Sequence, residues 1–159
     1  SQLAGQIAAH RPSHVITLGS AGAPPLPEGC AAQRLTLTFH DIAAPRDGLI
    51  APDERHVADL VAFAREWPRK APLLIHCYAG VSRSPAAAYI AALALDAQTD
   101  EMELALRLRA LSPSATPNSR LIALADALVG RQGRMVTAIG AIGRGADAFE
   151  GEVFSLAAG

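Results

Sequence analysis

Residues 73–85 read LLIHCYAGVSRSP, and the fold follows from how this stretch is parsed. Leu73, Leu74 and Ile75 form a short apolar run with strand character, which delivers His76 and Cys77 into a loop. The loop runs from Tyr78 to Ser82, and an Ala-rich apolar helix begins at Ser84–Pro85. A strand, a tight loop and a helix N-terminus in that order make an anion cradle. Successive backbone N–H groups of Tyr78, Ala79, Gly80, Val81 and Ser82 point inward, and the helix dipole adds its positive end. Arg83 supplies a planar fork that fits two oxygens of a phosphate. Cys77 then sits at the bottom of a positive cup, where a thiolate nucleophile is favoured. Gly80 removes side-chain bulk where the loop must bend sharply.

The segment HCYAGVSRS, with its strand before and helix after, resembles the signature loop of the cysteine-dependent protein tyrosine phosphatases. The AGVSRS portion is most similar to the dual-specificity branch, in its small single-domain, bacterial-type form. A bare Cys-x5-Arg is common by chance. The preceding His, the central Gly and the following Ser make this match specific. The competing reading is a structural cysteine buried in a strand-to-helix turn, and the flanking residues weigh against it.

Composition sets the frame around this loop. The chain has 159 residues, 50% of them hydrophobic and 18% charged, which suits one folded domain spanning residues 1–159. A net charge of -1 leaves no basic footprint for nucleic acid and no polybasic patch for a membrane. Cys30 and Cys77 are too few for a disulfide framework. Residues 1–10 carry no signal-peptide pattern, and the longest apolar run, Pro85 to Leu95, is too short to span a bilayer. A cytoplasmic, monomeric protein is expected, with no membrane partner.

Periodicity orders the rest. A short helix is expected over 2–9, strands over His14–Leu18 and Leu35–Phe39, and loops over 19–30 and 42–51. Pro52 suits the first turn of a helix whose buried face is Val57, Leu60, Val61 and Ala64, extended by Trp67. The helix from Ser84 to about Leu95 is apolar nearly all round and reads as central. Helices follow over Asp100–Leu111 (face Leu104, Leu108, Leu111), around Leu121, Leu124, Ala125 and Leu128, and around Met135, Ile139 and Ile142. Residues 112–118 form a turn, and the tail from Gly143 carries Phe149 and Phe154 to dock on the body. The sum is α/β: a central sheet flanked by helices with a helical C-terminal half, dual-specificity-phosphatase-like in layout. Cys77 is expected just past the carboxyl end of a strand, where open α/β sheets place ligands.

The chemistry this implies is hydrolysis of a phosphomonoester through a phosphocysteine intermediate. The resemblance points to protein phosphotyrosine as substrate, with phosphoserine and phosphothreonine as further targets. The alternatives are a phosphoinositide or other small phosphate ester, or a non-catalytic phosphate-binding module. Relatives with a taste for phosphoinositides often carry lysines in the loop, and positions 78–82 have none. No metal or cofactor is called for, because the cup itself supplies positive potential. The family places an acidic Asp some thirty to forty residues before the Cys. Asp41 lies 36 before Cys77 and directly after LTLTFH; Asp47 lies 30 before it, beside Gly48 where a turn-former also fits. Asp41 is preferred as general acid, with Asp47 as the alternative. Ser84 is expected to donate to the Cys77 sulfur, or to cap the helix. His76 is expected under the loop, bonded to its backbone. His10, His14, His40 and His56 show no metal-ligand spacing. Trp67–Pro68 imitates the Trp-Pro-Asp of the larger enzymes, but Arg69 follows and Cys77 is only 10 residues away. GAIGRG at 140–145 lacks both the spacing and the preceding strand of a dinucleotide fingerprint. Cys30 is read as an inert semi-buried thiol rather than a redox partner of Cys77.

Overall fold

A computed structural model describes residues 2–157. Its order is α1 (Gln2–His10), β1 (His14–Gly19), β2 (Gln33–Thr38), α2 (Glu54–Glu66), β3 (Leu73–His76), α3 (Arg83–Leu95), α4 (Glu101–Leu111), α5 (Ser119–Val129) and α6 (Arg134–Ile142). The sheet runs β2-β1-β3 and all its strands are parallel. The architecture is α/β, with a small central sheet and a helical C-terminal half, as the alternation of patterns implies.

The parallel register decides which side chains share a face. Thr17 on β1 stands opposite Thr36 on β2 and His76 on β3. Arg34, two residues before Thr36, therefore lies on the same face as Thr17 and His76. The opposite face carries Ile16, Leu18, Leu35, Leu37, Leu73 and Ile75 into the main core, where Cys77 also packs. That core continues through α3, whose Ala86, Ala87, Tyr89 and Ile90 are fully buried. Its lack of a polar face makes α3 the central helix, with α2, α4 and α5 packed around it. Tyr89 finds its partner in the Glu101 carbonyl, 2.9 Å away, and burial followed by the Glu101 charge pushes its phenol upward in pKa.

Several boundaries differ from the sequence expectation, each for a local reason. Pro52 lies before the cap of α2 rather than in its first turn. Asp53 is the N-cap and accepts from the His56 N–H, while the His56 ring accepts from the Asp53 N–H. This reciprocal cap is worth about 1 kcal/mol. Asp100 likewise caps α4 from outside, accepting from the Glu103 N–H. Strand β2 begins at Gln33 and ends at Thr38, although the Phe39 N–H still bonds the Gly19 carbonyl. Trp67 is half-buried rather than a core anchor; its indole N–H bonds the Ala71 carbonyl at 2.8 Å where α2 stops before Pro68.

The helical half departs most. The buried face of α5 is Leu121, Ile122, Ala125 and Asp126, and Leu128 is 51% exposed. Asp126 turns inward because its carboxylate takes the otherwise unpaired N–H groups of Gly133, Met135 and Val136 at the start of α6. On α4, Leu111 is exposed while Glu101 is buried. Burial alone lifts the Glu101 carboxyl, but its own N–H and the Arg131 and Arg134 guanidinium groups outweigh that and hold it below the usual range. Arg131 also bonds the Leu93 and Asp96 carbonyls, so this cluster closes the end of α3. Phe149 stands fully exposed, whereas Phe154 and Leu156 pack against the core. Among the described residues no helix is long and apolar enough to cross a membrane.

Candidate active site

Strand β3 ends at His76, so Cys77 emerges at the carboxyl edge of the sheet. The loop that follows turns at Gly80, whose φ of 70° lies in the left-handed region that favours glycine. Helix α3 starts at Arg83. The turn brings three groups onto one sulfur. Cys77 Sγ accepts from the Gly80 N–H at 3.3 Å and the Ser84 N–H at 3.4 Å, and Ser84 Oγ lies 3.1 Å away. Ser84 is not the helix cap; Ser82 holds that position without a side-chain capping bond, which frees the Ser84 hydroxyl for Cys77.

Arg83 is buried, and one nitrogen of its guanidinium is committed. Nη1 donates to Ser20 Oγ and to the Phe39 carbonyl, both at 2.9 Å. Nε and Nη2 bond no other described residue, so one edge of the guanidinium keeps its donors, in a geometry that suits an oxyanion. Neither Ser20 nor the Phe39 carbonyl carries a sequence signal for this role. Ser20 sits in a Gly-rich loop, and the second partner is backbone.

Asp41 and Asp47 separate clearly in position. Asp41 Oδ1 accepts from Ser82 Oγ at 2.7 Å and from Asn118 Nδ2 at 2.8 Å, which sets this carboxylate against the signature loop. Its Oδ2 takes no hydrogen bond from the described residues. Asp47 is exposed near the tip of the same loop and makes no polar contact with residues 77–83. The loop between them is pinched at its base by His40: its N–H bonds the Ile50 carbonyl at 2.7 Å, and its Nδ1 accepts from the Ile50 N–H at 2.9 Å. Asn118 serves twice. Its Oδ1 caps α5 by accepting from the Arg120 and Leu121 N–H groups, and its amide donates to Asp41 and to the Ile42 carbonyl. An Asn just before an apolar helical run is a readable cap signal; its reach to Asp41 is not.

His76 differs from expectation. Its ring does not bond the loop but points along the sheet face to Thr17, with Nε2 2.6 Å from Thr17 Oγ1. Arg34 donates to the same hydroxyl through Nε and Nη2. Arg34 can only donate, which leaves the Thr17 hydroxyl proton available to a neutral His76 Nε2. Burial, and then the Arg34 charge, lower the His76 pKa from 6.5 to about 4. With Nε2 paired to Thr17 Oγ1 and not to the sulfur, His76 is not placed as a general base for Cys77.

The remaining side chains are peripheral. Tyr78 is 92% exposed and stands at the rim. Cys30 and Cys77 are both free thiols, and Cys30 lies in the loop between β1 and β2. Among the described residues no cluster of three or more His, Cys, Asp or Glu could hold a metal ion.

The outside of the loop is braced by backbone. The Val81 carbonyl accepts from the Thr116 N–H at 2.7 Å, and the Ser82 carbonyl from the Asn118 N–H at 3.3 Å. The turn that carries these donors is gathered by Arg109, which bonds the Pro113 and Ala115 carbonyls at 2.8 Å and reaches Gly143 beyond α6.

Comparison with family models finds no match for the chain, and comparison with curated protein sequences finds none either. Solved structures do match. DUSP15 superposes with a TM-score of 0.59 at 16% identity, over 86% of this chain and 83% of that one. Human DUSP28 superposes with a TM-score of 0.60 at 19% identity, over 81% of this chain and 87% of that one. The chain therefore has the dual-specificity phosphatase fold, which its signature loop implies.

Proposed function

We propose that this chain is a cysteine-dependent phosphatase that hydrolyses protein phosphotyrosine, and phosphoserine or phosphothreonine, through a phosphocysteine. The observation that carries the reading is the convergence of the Gly80 N–H, the Ser84 N–H and the Ser84 hydroxyl on Cys77 Sγ, in a loop that ends at Arg83 with its Nε and Nη2 free. In the first step the thiolate attacks phosphorus in line. An S–P bond forms, the P–O ester bond breaks, and Asp41 gives its proton to the leaving oxygen. Arg83 and the N–H groups of Tyr78, Ala79, Gly80, Val81 and Ser82 hold the non-bridging oxygens. In the second step water attacks phosphorus and yields a proton to Asp41, while the S–P bond breaks. The Ser84 hydroxyl donates to the sulfur as it regains its charge.

Asp41 fits the acid role better than Asp47 because Ser82 and Asn118 tether it to the loop through one oxygen and leave the other open. A phosphoprotein is favoured over a phosphoinositide by the absence of lysine from positions 78–82.

The test is hydrolysis of p-nitrophenyl phosphate and of phosphotyrosyl and phosphothreonyl peptides by the purified chain in the presence of EDTA. Turnover is expected, and Cys77→Ser abolishes it while vanadate still protects the protein from thermal unfolding. Normal turnover by Cys77→Ser contradicts the mechanism.

A further inference from the structure

Three carbonyls of the signature loop point away from the cup, and one is held by the C-terminal tail. The Gly151 N–H donates to the Ala79 carbonyl at 2.7 Å. The peptide unit is planar and trans, so the Ala79 carbonyl and the Gly80 N–H point in opposite directions. A bond that fixes the carbonyl outward therefore fixes the N–H inward, and that N–H lies 3.3 Å from Cys77 Sγ. This peptide adjoins Gly80, whose backbone is the freest in the loop, so it has the most to gain from an external hold. Thr116 and Asn118 hold the peptides beyond it, and neither reaches this one.

The tail is shaped for the contact. A Cβ on residue 151 would overlap the Gly80 carbonyl oxygen and carbon, so only glycine brings its N–H this close. The segment is anchored on both sides. Gln2 Nε2 donates to the Glu150 carboxylate at 2.9 Å, and Phe154 and Leu156 pack on the main core. Together with β3 and α1 it walls an open groove of about 840 Å³ beside the loop.

We propose that residues 150–156 form a strap that positions the Ala79–Gly80 peptide for oxyanion recognition, with the Gly151 N–H as the positioning group. The proposal rests on the phosphate-cup reading of the same loop. The Gly151 N–H touches neither substrate nor sulfur; it acts through the peptide it holds.

The test uses the full chain and the variants Gly151→Pro, which lacks the N–H, Gly151→Ala, which pushes it away, and Glu66→Ala as an exposed control outside the strap. Cys77 is alkylated with anionic iodoacetate and with neutral iodoacetamide, and p-nitrophenyl phosphate kinetics and thermal midpoints are recorded. Loss of one inward donor should lower kcat by about tenfold to a hundredfold in both Gly151 variants. The iodoacetate-to-iodoacetamide rate ratio should fall with it, while Glu66→Ala matches the parent chain. Exchange of the Gly80 amide proton by NMR gives a direct reading, and protection should drop in Gly151→Ala. Unchanged kcat, rate ratio and Gly80 protection in the Gly151 variants overturn the strap. If the parent chain hydrolyses no phosphate ester but its alkylation ratio and Gly80 protection still depend on Gly151, the strap stands and the phosphatase reading falls.

Discussion

The inner face of residues 77–84 is assembled from side chains and N–H groups of eight consecutive residues, whereas its outer face is held by backbone from segments far along the chain. Inside are Cys77 Sγ with the Gly80 N–H, the Ser84 N–H and the Ser84 hydroxyl around it, and the Arg83 guanidinium with its free Nε and Nη2. Outside, the carbonyls of Ala79, Val81 and Ser82 meet the N–H groups of Gly151, Thr116 and Asn118. The inner groups are left open to receive a ligand, and the outer ones are saturated. Each outward carbonyl that is fixed fixes an inward N–H, so the rigidity of the cup is built on the side away from its chemistry.

The comparison can be broken first at the inner face. Arg83→Lys keeps a charge but loses the fork, and a lysine cannot bond Ser20, the Phe39 carbonyl and a phosphate together. Steady-state kinetics should show kcat falling by about a hundredfold to a thousandfold. If Lys substitutes freely, the aimed guanidinium has no special role. Asp41→Ala should cost about a hundredfold in kcat on a poor leaving group, and less on p-nitrophenolate, which needs little protonation. Asp47→Ala should stay within about twofold on both, because nothing ties it to the loop. The reverse ranking moves the acid to Asp47.

Substitution of a side chain that supports the site without entering the chemistry should act more weakly and in a different way. Asn118→Ala removes the α5 cap and one tether of Asp41, and should lower stability by about 1–2 kcal/mol in urea unfolding. Its kcat should fall by less than that of Asp41→Ala. An Asn118→Ala effect on kcat as large as the Asp41→Ala effect would erase the distinction between performing the chemistry and holding it.

The smallest expected effect lies beneath the loop. His76 has a folded pKa of about 4 against 6.5 for the unbound side chain, so the unfolded chain takes up the extra proton first as pH falls. Its neutral form supports the fold fully above about pH 6.5, and that contribution drains away as pH falls toward 4. Arg34→Met removes the second cause and leaves burial in place. The His76 pKa, read by NMR from its ring protons, should then rise part of the way toward 6.5. No movement would mean that burial alone accounts for the shift.

The same contrast explains what was legible in the sequence. The inner face is local, so strand, loop, helix and the residues between them could be read from thirteen letters. The buried helix α3 was equally plain, because an Ala-rich run with no polar face has one place to go. The outer face was not legible: N–H donors leave no trace in side-chain identity, and Gly151 is one glycine among 13. The rotation of α5 was hidden for a related reason. A buried Asp126 satisfied by the backbone of α6 defeats a pattern that sorts residues by polarity. His76 turned to Thr17 through a strand register that only the folded sheet defines.

The most direct test of the central reading is to mix the chain with a 32P-labelled phosphotyrosyl peptide, quench in acid within milliseconds, and locate the label by peptide mapping. The account predicts an acid-stable phosphate on Cys77 that builds up in a burst and is absent from Cys77→Ser. Turnover without label on Cys77, or with label on another residue, would contradict it.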